Sequence, residues 1–194
     1  MKINFKILKD FAKKHSESDD IHGFPHIKRV YDLCLEIGKK LNANIELLKI
    51  ASLLHDIGRI DEKLNKLKRN HAEISAEKAL DFLNSHDFNL SKEDIENIIH
   101  CIRAHSFSND AIPNTIEAKI LSDADKLDAL GAIGLYRTIG YTVKNGGELN
   151  QIIEHLENKI IKLKHQMYLK ISRKIAKKRE KIILNFYKQI ISQK

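Results

Sequence analysis

The sequence predicts an all-α protein, and three observations carry that expectation. Only two prolines and eight glycines interrupt 194 residues, apolar residues recur every three or four positions almost throughout, and the clear breakers, "SESDDIHG" and "NGG", fall between such periodic segments. The first helix is expected over about residues 3–15. Pro25 suits the first turn of the next, where Val30, Leu33, Cys34, Ile37 and Leu41 form one apolar stripe and His26 lies near the N-terminus. Residues 45–57 are apolar on every side, which marks a helix buried all round. His55 and Asp56 end it, with Gly58 as its expected stop. A loop rich in Lys and Asn leads to a helix over about 71–84. Ser91 and Asp94 then form an approximate capping box ahead of the stripe Ile95, Ile98, Ile99 and Ile102. After Pro113 one helix is expected, with another beginning near Gly131. Beyond Gly147, Ile152, Leu156, Ile160, Leu163 and Met167 step by three and four, and a last helix carries Ile182, Phe186 and Ile190. No repeat or linker divides the chain. A single domain over 1–194 is expected, with its motifs within about 22–140 and a C-terminal helical extension over about 147–192.

Composition narrows the function classes. Hydrophobic residues make up 42% and charged residues 31%, a balance that suits a folded globular protein and excludes a disordered one. No apolar run approaches the ~20 residues of a membrane span, and the N-terminus lacks a signal peptide's apolar core. A cytoplasmic protein without a membrane partner is expected. Cys34 and Cys101 are isolated in apolar helical patterns and read as reduced core thiols. The formal charge of +8 is unevenly placed: residues 158–194 hold 12 Lys/Arg and one acid, Glu180, which leaves 22 basic and 25 acidic residues before them. That distribution argues against nucleic acid as the partner of the body. The basic run "KISRKIAKKREK" sits on an amphipathic helix and reads as a solvated or oligomeric face. The apolar stripe beside it predicts packing on the body or on a second copy, as in a homodimer.

The stretch "LLHDIGR" (53–59) places an imidazole and a carboxylate side by side at the end of the most apolar helix. Adjacent helical residues point ~100° apart, so only a compact partner faces both. A metal ion is compact, and its charge offsets the desolvation of the carboxylate. His offers nitrogen and Asp oxygen, a set that suits a first-row divalent ion. Two ligands make a weak site. Further ligands are available from His22, His26, His71, His100, His105, Asp123, Asp125 and Asp128.

"HGFPHIKRV", "ASLLHDIGR" and "SDADKLDAL", in that order, resemble the HD superfamily of metal-dependent phosphohydrolases, and the likeness extends to "HAEISAEKAL", "IRAHSFS" and "LENKIIKLKHQMY". Within it the chain looks like the small stand-alone bacterial hydrolases, a branch that includes nucleotide pyrophosphohydrolases. The resemblance implies an HD-domain helical bundle and a metal site at His26, His55, Asp56 and Asp125. Asp123 competes with Asp125, since two carboxylates two residues apart on a helix point ~200° apart; the "KLD" register favours Asp125. The resemblance also implies catalytic roles for His71 and His105, either of which could instead hold a second ion, with Asp123 as a supporting group. Lys126, Arg59 and Arg103, beside the motifs, are the candidate phosphate contacts. The ion is expected to be Mn, Mg, Ni, Co or Fe, in one or two copies, and the substrate a phosphorylated small molecule of nucleotide type. The chain lacks the "GYP" signature of cyclic-di-GMP phosphodiesterases and the synthetase domain of bifunctional alarmone enzymes. Three other functions compete: a di-iron oxygenase on the same fold, a regulatory module that keeps the metal without catalysis, and nucleic-acid binding, which rests only on "KISRKIAKKREK" and is the less expected reading of that run.

Overall fold

Asn4 accepts the Lys6 backbone N–H and opens α1 (Phe5–Lys14), where the computed structural model begins its described residues, 4–64 and 69–194. Every element among them is helical. α2 (Phe24–Lys40) starts with Pro25 in its first turn, as expected, and buries His26, Ile27, Val30, Leu33, Cys34 and Ile37. Leu41 falls on the helix cap and is exposed. α3 (Ile45–Leu54) is capped by the Asn44 side chain. It buries Leu47, Leu48, Ile50, Leu53 and Leu54 at no more than 3% exposure, each contributing about 1.5–3 kcal/mol. α3 stops three residues before its predicted end, and His55 to Gly58 form a turn.

α4 (Arg59–Leu64) follows that turn directly, where the sequence reading placed a loop. Its six residues are too few to show an apolar period, and none is buried. The rest of the Lys- and Asn-rich stretch, 65–68, lies outside the described residues. α5 (His71–Asn84) begins at an Asn70 cap, and α6 (Lys92–His105) opens with the predicted Ser91/Asp94 capping box. α7 (Ile116–Asp128), α8 (Gly131–Lys144) and α9 (Leu149–Asn158) precede a 3-10 helix (Ile160–Gln166) and α10 (Lys170–Gln193).

Two compact units divide the chain, residues 1–122 and 123–194, with the division inside α7. In the first unit α3 packs against α1, α2, α5 and α6, which explains why it is apolar on all sides. In the second, α8, α9 and the 3-10 helix pack together and against α10. Gly131, at φ +81°, lets the chain turn from α7 into α8 in a conformation that side chains disfavour. The buried pair Arg137 and Asp128, 2.8 Å apart, ties these two helices. Ile152, Leu156, Ile160, Leu163 and Met167 are all buried, as their spacing predicts, although the helix breaks at Lys159. The register predicted for α10 is corrected: its buried residues are Ser172, Ala176, Glu180 and Ile183, while Ile182 is 46% exposed. Both cysteines are buried thiols outside any disulfide, as expected.

Candidate metal centre

Four helix ends of the first unit converge on Asp56. His26 comes from the first turn of α2, His55 and Asp56 from the turn after α3, His71 from the first residue of α5 and His105 from the last of α6. Gly58 allows the approach of α5: a Cβ there would lie 2.7 Å from His71 O and from Ser75 N. Its amide also donates to Ser75 Oγ at 2.9 Å. This glycine is needed for close packing, not for the left-handed helix stop expected from sequence, since its φ is not positive.

Each oxygen of Asp56 faces two imidazole nitrogens. Oδ2 lies 3.4 Å from His26 Nε2 and 3.6 Å from His55 Nε2; Oδ1 lies 3.3 Å from His105 Nε2 and 3.5 Å from His71 Nε2. These five side chains are all buried. They form two ligand groups, His26, His55 and Asp56 in one and Asp56, His71 and His105 in the other, with the ligand atoms of each within 4.8 Å of one another.

The opposite ring nitrogens show which atoms are free to ligate. His55 Nδ1 is 2.7 Å from Ser52 O and His105 Nδ1 is 2.6 Å from Ile102 O. A carbonyl only accepts, so both Nδ1 atoms carry hydrogen, and in its neutral form each ring presents an Nε2 lone pair to the carboxylate. His71 Nδ1 faces Glu62 Oε1 at 3.3 Å, and burial lowers the His71 pKa, favouring its neutral form. Acceptors thus face acceptors across the centre. Asp56 Oδ1, His71 Nε2 and His105 Nε2 are buried without a hydrogen bond, an arrangement that a cation between them reconciles. The donor set of imidazole nitrogen and carboxylate oxygen suits a first-row divalent metal.

Burial by itself would raise the Asp56 carboxyl pKa, but the Arg59 guanidinium beside it holds it well below the usual carboxylate range. Arg59 Nε lies 2.5 Å from Oδ2 and its side chain keeps 20% exposure, so this guanidinium stands between the centre and solvent. Glu62, on the same short helix, accepts the His71 backbone N–H at 2.9 Å. The bond from the His71 side chain is the chief cause of its lowered pKa. Sequence reasoning missed Glu62. Its only local signal is an acid in the first turn of a helix too short to recognise.

The other predicted residues lie in different settings. Arg103 pairs with Glu73 at 3.0 Å on an exposed face. His100 Nε2 accepts the Asn114 N–H at 3.1 Å and anchors the α6 to α7 connection. His22 sits with its ring 6.5 Å from that of His26. Asp123, Asp125 and Lys126 belong to the second unit. The two oxygens of Asp123 accept the Tyr168 and Leu169 backbone N–H groups, each at 2.9 Å, at the start of α10. Asp128, a candidate support for the site, is taken by Arg137. Asp125 is half-buried, and Lys126 is 6% exposed with Nζ 5.2 Å from the centre of the Tyr168 ring.

The HD domain family matches residues 23–130. Protein YpgQ of Bacillus subtilis (strain 168) is 32% identical over 177 residues, 87% of this chain and 82% of YpgQ. The crystal structure of YpgQ in complex with ADP has a TM-score of 0.75 and 28% identity, covering 97% of this chain and 94% of that one. A Lactobacillus plantarum protein gives a TM-score of 0.81 at 25% identity, with coverage of 100% and 98%. An HD-superfamily hydrolase of Bacillus thuringiensis gives 0.71 at 26%, with coverage of 97% and 95%.

Proposed function

Because this chain belongs to the HD domain family, we propose that it is a metal-dependent phosphohydrolase that cleaves a phosphate ester or anhydride bond in a nucleotide. The observation that carries the reading is the centre itself, with four imidazoles facing one buried carboxylate from opposite sides. A divalent ion held there supplies an activated water as nucleophile and draws negative charge from the phosphoryl oxygens. His26, His55 and Asp56 would hold a first ion, and Asp125 is the further ligand that the family resemblance implies. Asp56, His71 and His105 would hold a second. Ser52 O and Ile102 O keep His55 and His105 in the ligating tautomer, and Glu62 does the same for His71. With its Nδ1 proton engaged and its Nε2 directed to Asp56, His71 serves better as a ligand than as an acid. Arg59, partly exposed beside Asp56, is the phosphate contact the geometry favours. Lys126 keeps its candidacy through its burial next to Asp125.

The nucleotide substrate class is supported by the ADP complex of YpgQ. A di-iron oxygenase would use the same pair of ligand groups, and the product distinguishes the two. The decisive experiment incubates the protein with nucleoside mono-, di- and triphosphates and each of Mn, Mg, Ni, Co and Fe, measuring phosphate and pyrophosphate. Release that disappears in Asp56→Asn supports the proposal. No release with any pair, or oxygen consumption by an iron-loaded form, would sink it.

A further inference from the structure

Residues 1–122 carry 19 Lys/Arg and 19 Asp/Glu, whereas residues 123–194 carry 15 and 7, so the whole excess of +8 belongs to the second unit. Most of it lies on α10, whose one acid, Glu180, is buried and paired with Lys164 at 2.7 Å. The packing face of α10 is marked by Ser172, Ala176, Glu180 and Ile183. At ~100° per residue, Lys170, Lys174, Lys177, Lys181 and Lys188 fall within an arc of ~60° on the opposite side, along ~27 Å of helix. All five are exposed, with Arg173 and Lys178 flanking them. Among the described residues none of the five forms an ion pair.

Solvation alone does not call for this pattern. Exposed faces elsewhere in the chain mix signs at helical spacing, as in Lys28 with Asp32, Glu36 with Lys40 and Lys92 with Glu96. On α10 the pairs Lys170/Lys174, Lys174/Lys178 and Lys177/Lys181 place like charges four residues apart, which weakens the helix that carries them. A polyanion removes that repulsion.

We propose that the lysine stripe of α10 docks the phosphate backbone of double-stranded nucleic acid without reading its sequence. A duplex presents one negative charge per ~1.7 Å of axis, a line of charge that a straight stripe of this length can follow. The arc contains no aromatic residue on which unstacked bases could rest, as single-strand binding uses. It also offers no apolar face to a bilayer, because the buried side of α10 packs within its own unit, whereas interfacial helices insert theirs. Lysines acting as point charges give affinity without base contacts. The surface is independent of the metal centre proposed above and stands or falls separately from it.

The test is fluorescence anisotropy of the full-length protein with a labelled 20-base-pair duplex of arbitrary sequence, titrated at several salt concentrations. Five phosphate contacts predict a plot of log K against log salt with a slope of about −4.5. Lys174→Glu/Lys177→Glu/Lys181→Glu should lower affinity at least tenfold and flatten the slope to about −2, with circular dichroism and metal content unchanged. The charge-matched control Lys28→Glu/Lys39→Glu/Lys40→Glu should bind nearly as wild type, which separates the stripe from net charge. A shuffled duplex should bind equally. The proposal is overturned if wild type does not bind the duplex, if the α10 variant binds as well as wild type, if both triple variants weaken alike, or if vesicles containing phosphatidylserine are preferred over the duplex.

Discussion

Replacing Glu62 with Gln tests a centre histidine whose orientation depends on a carboxylate outside the centre. Glu62 Oε1 accepts the His71 backbone N–H at 2.9 Å and lies 3.3 Å from His71 Nδ1. A carboxylate can accept from both. Both bonds go to that one oxygen, Oε1, so the Glu62→Gln variant either keeps them at a neutral amide oxygen, without the carboxylate's charge, or turns its NH2 group to Nδ1 and favours the tautomer that blocks Nε2. A hydrogen bond to a charged group is worth about 1.5–3 kcal/mol and a neutral one about 0.5–1.5 kcal/mol. The Glu62 side chain is 35% exposed, which places the difference near the low end, about 1.4 kcal/mol, or about tenfold in affinity. That agrees with the ~10-fold to ~100-fold typical of groups that orient a metal-binding histidine. The assay is competitive Mn(II) titration of metal-stripped protein, with circular dichroism to verify folding. Glu62→Gln should weaken the ion associated with His71 about tenfold and leave an ion at His26 and His55 within twofold of wild type. Unchanged affinity for both ions would refute the tautomer argument, and equal weakening of both would show a general loosening of the centre.

The two ligand groups make a prediction about stoichiometry: His26→Ala and His105→Ala should each lose one ion by elemental analysis and keep the other, while Asp56→Asn, common to both groups, loses all bound metal. One ion throughout, lost in every variant, would favour a mononuclear centre. Burial lowers the pKa of His71, His100 and His155, so the folded state binds fewer protons than the unfolded one, whose histidines titrate near ~6.5. Stability of the metal-stripped protein should therefore be greatest above that value and fall as pH drops through the lowered folded values; urea unfolding at pH 7.5 and 5.5 measures this, and equal or higher stability at 5.5 counts against it. Asp123→Ala strips the Tyr168 and Leu169 amides of their acceptor and should destabilise the protein by about 2 kcal/mol with metal content kept. Asp125→Asn should instead reduce metal binding while leaving the unfolding midpoint nearly unchanged, and the reverse pattern would transfer the ligand role to Asp123.

Helix boundaries were legible because their causes are local. Ser91 and Asp94 close a capping box three residues apart, Pro25 occupies a first turn, and Asn145 to Gly147 stop α8. α4 escaped notice because six residues without a buried face show no period. The face of α10 was misread because large apolar residues were taken as the packing side. Where the helix packs closely, the small side chains of Ser172 and Ala176 are buried and Ile182 is left outside.

The sequence by itself determined the helical class, the burial of α3 and the presence of an adjacent imidazole and carboxylate at its end, since each depends on neighbours within a few residues along one helix. Only the tertiary structure decided which distant groups meet that pair. His26, His71 and His105 reach Asp56 because the packing of α2, α5 and α6 brings their ends to one turn. Asp123 turns instead to amides at Tyr168 and Leu169. Residue type shows that a carboxylate can bind a metal or cap a helix. Which of these it does depends on the donor within about 3 Å of it, and for a contact across forty-five positions of chain that donor is placed by helix packing.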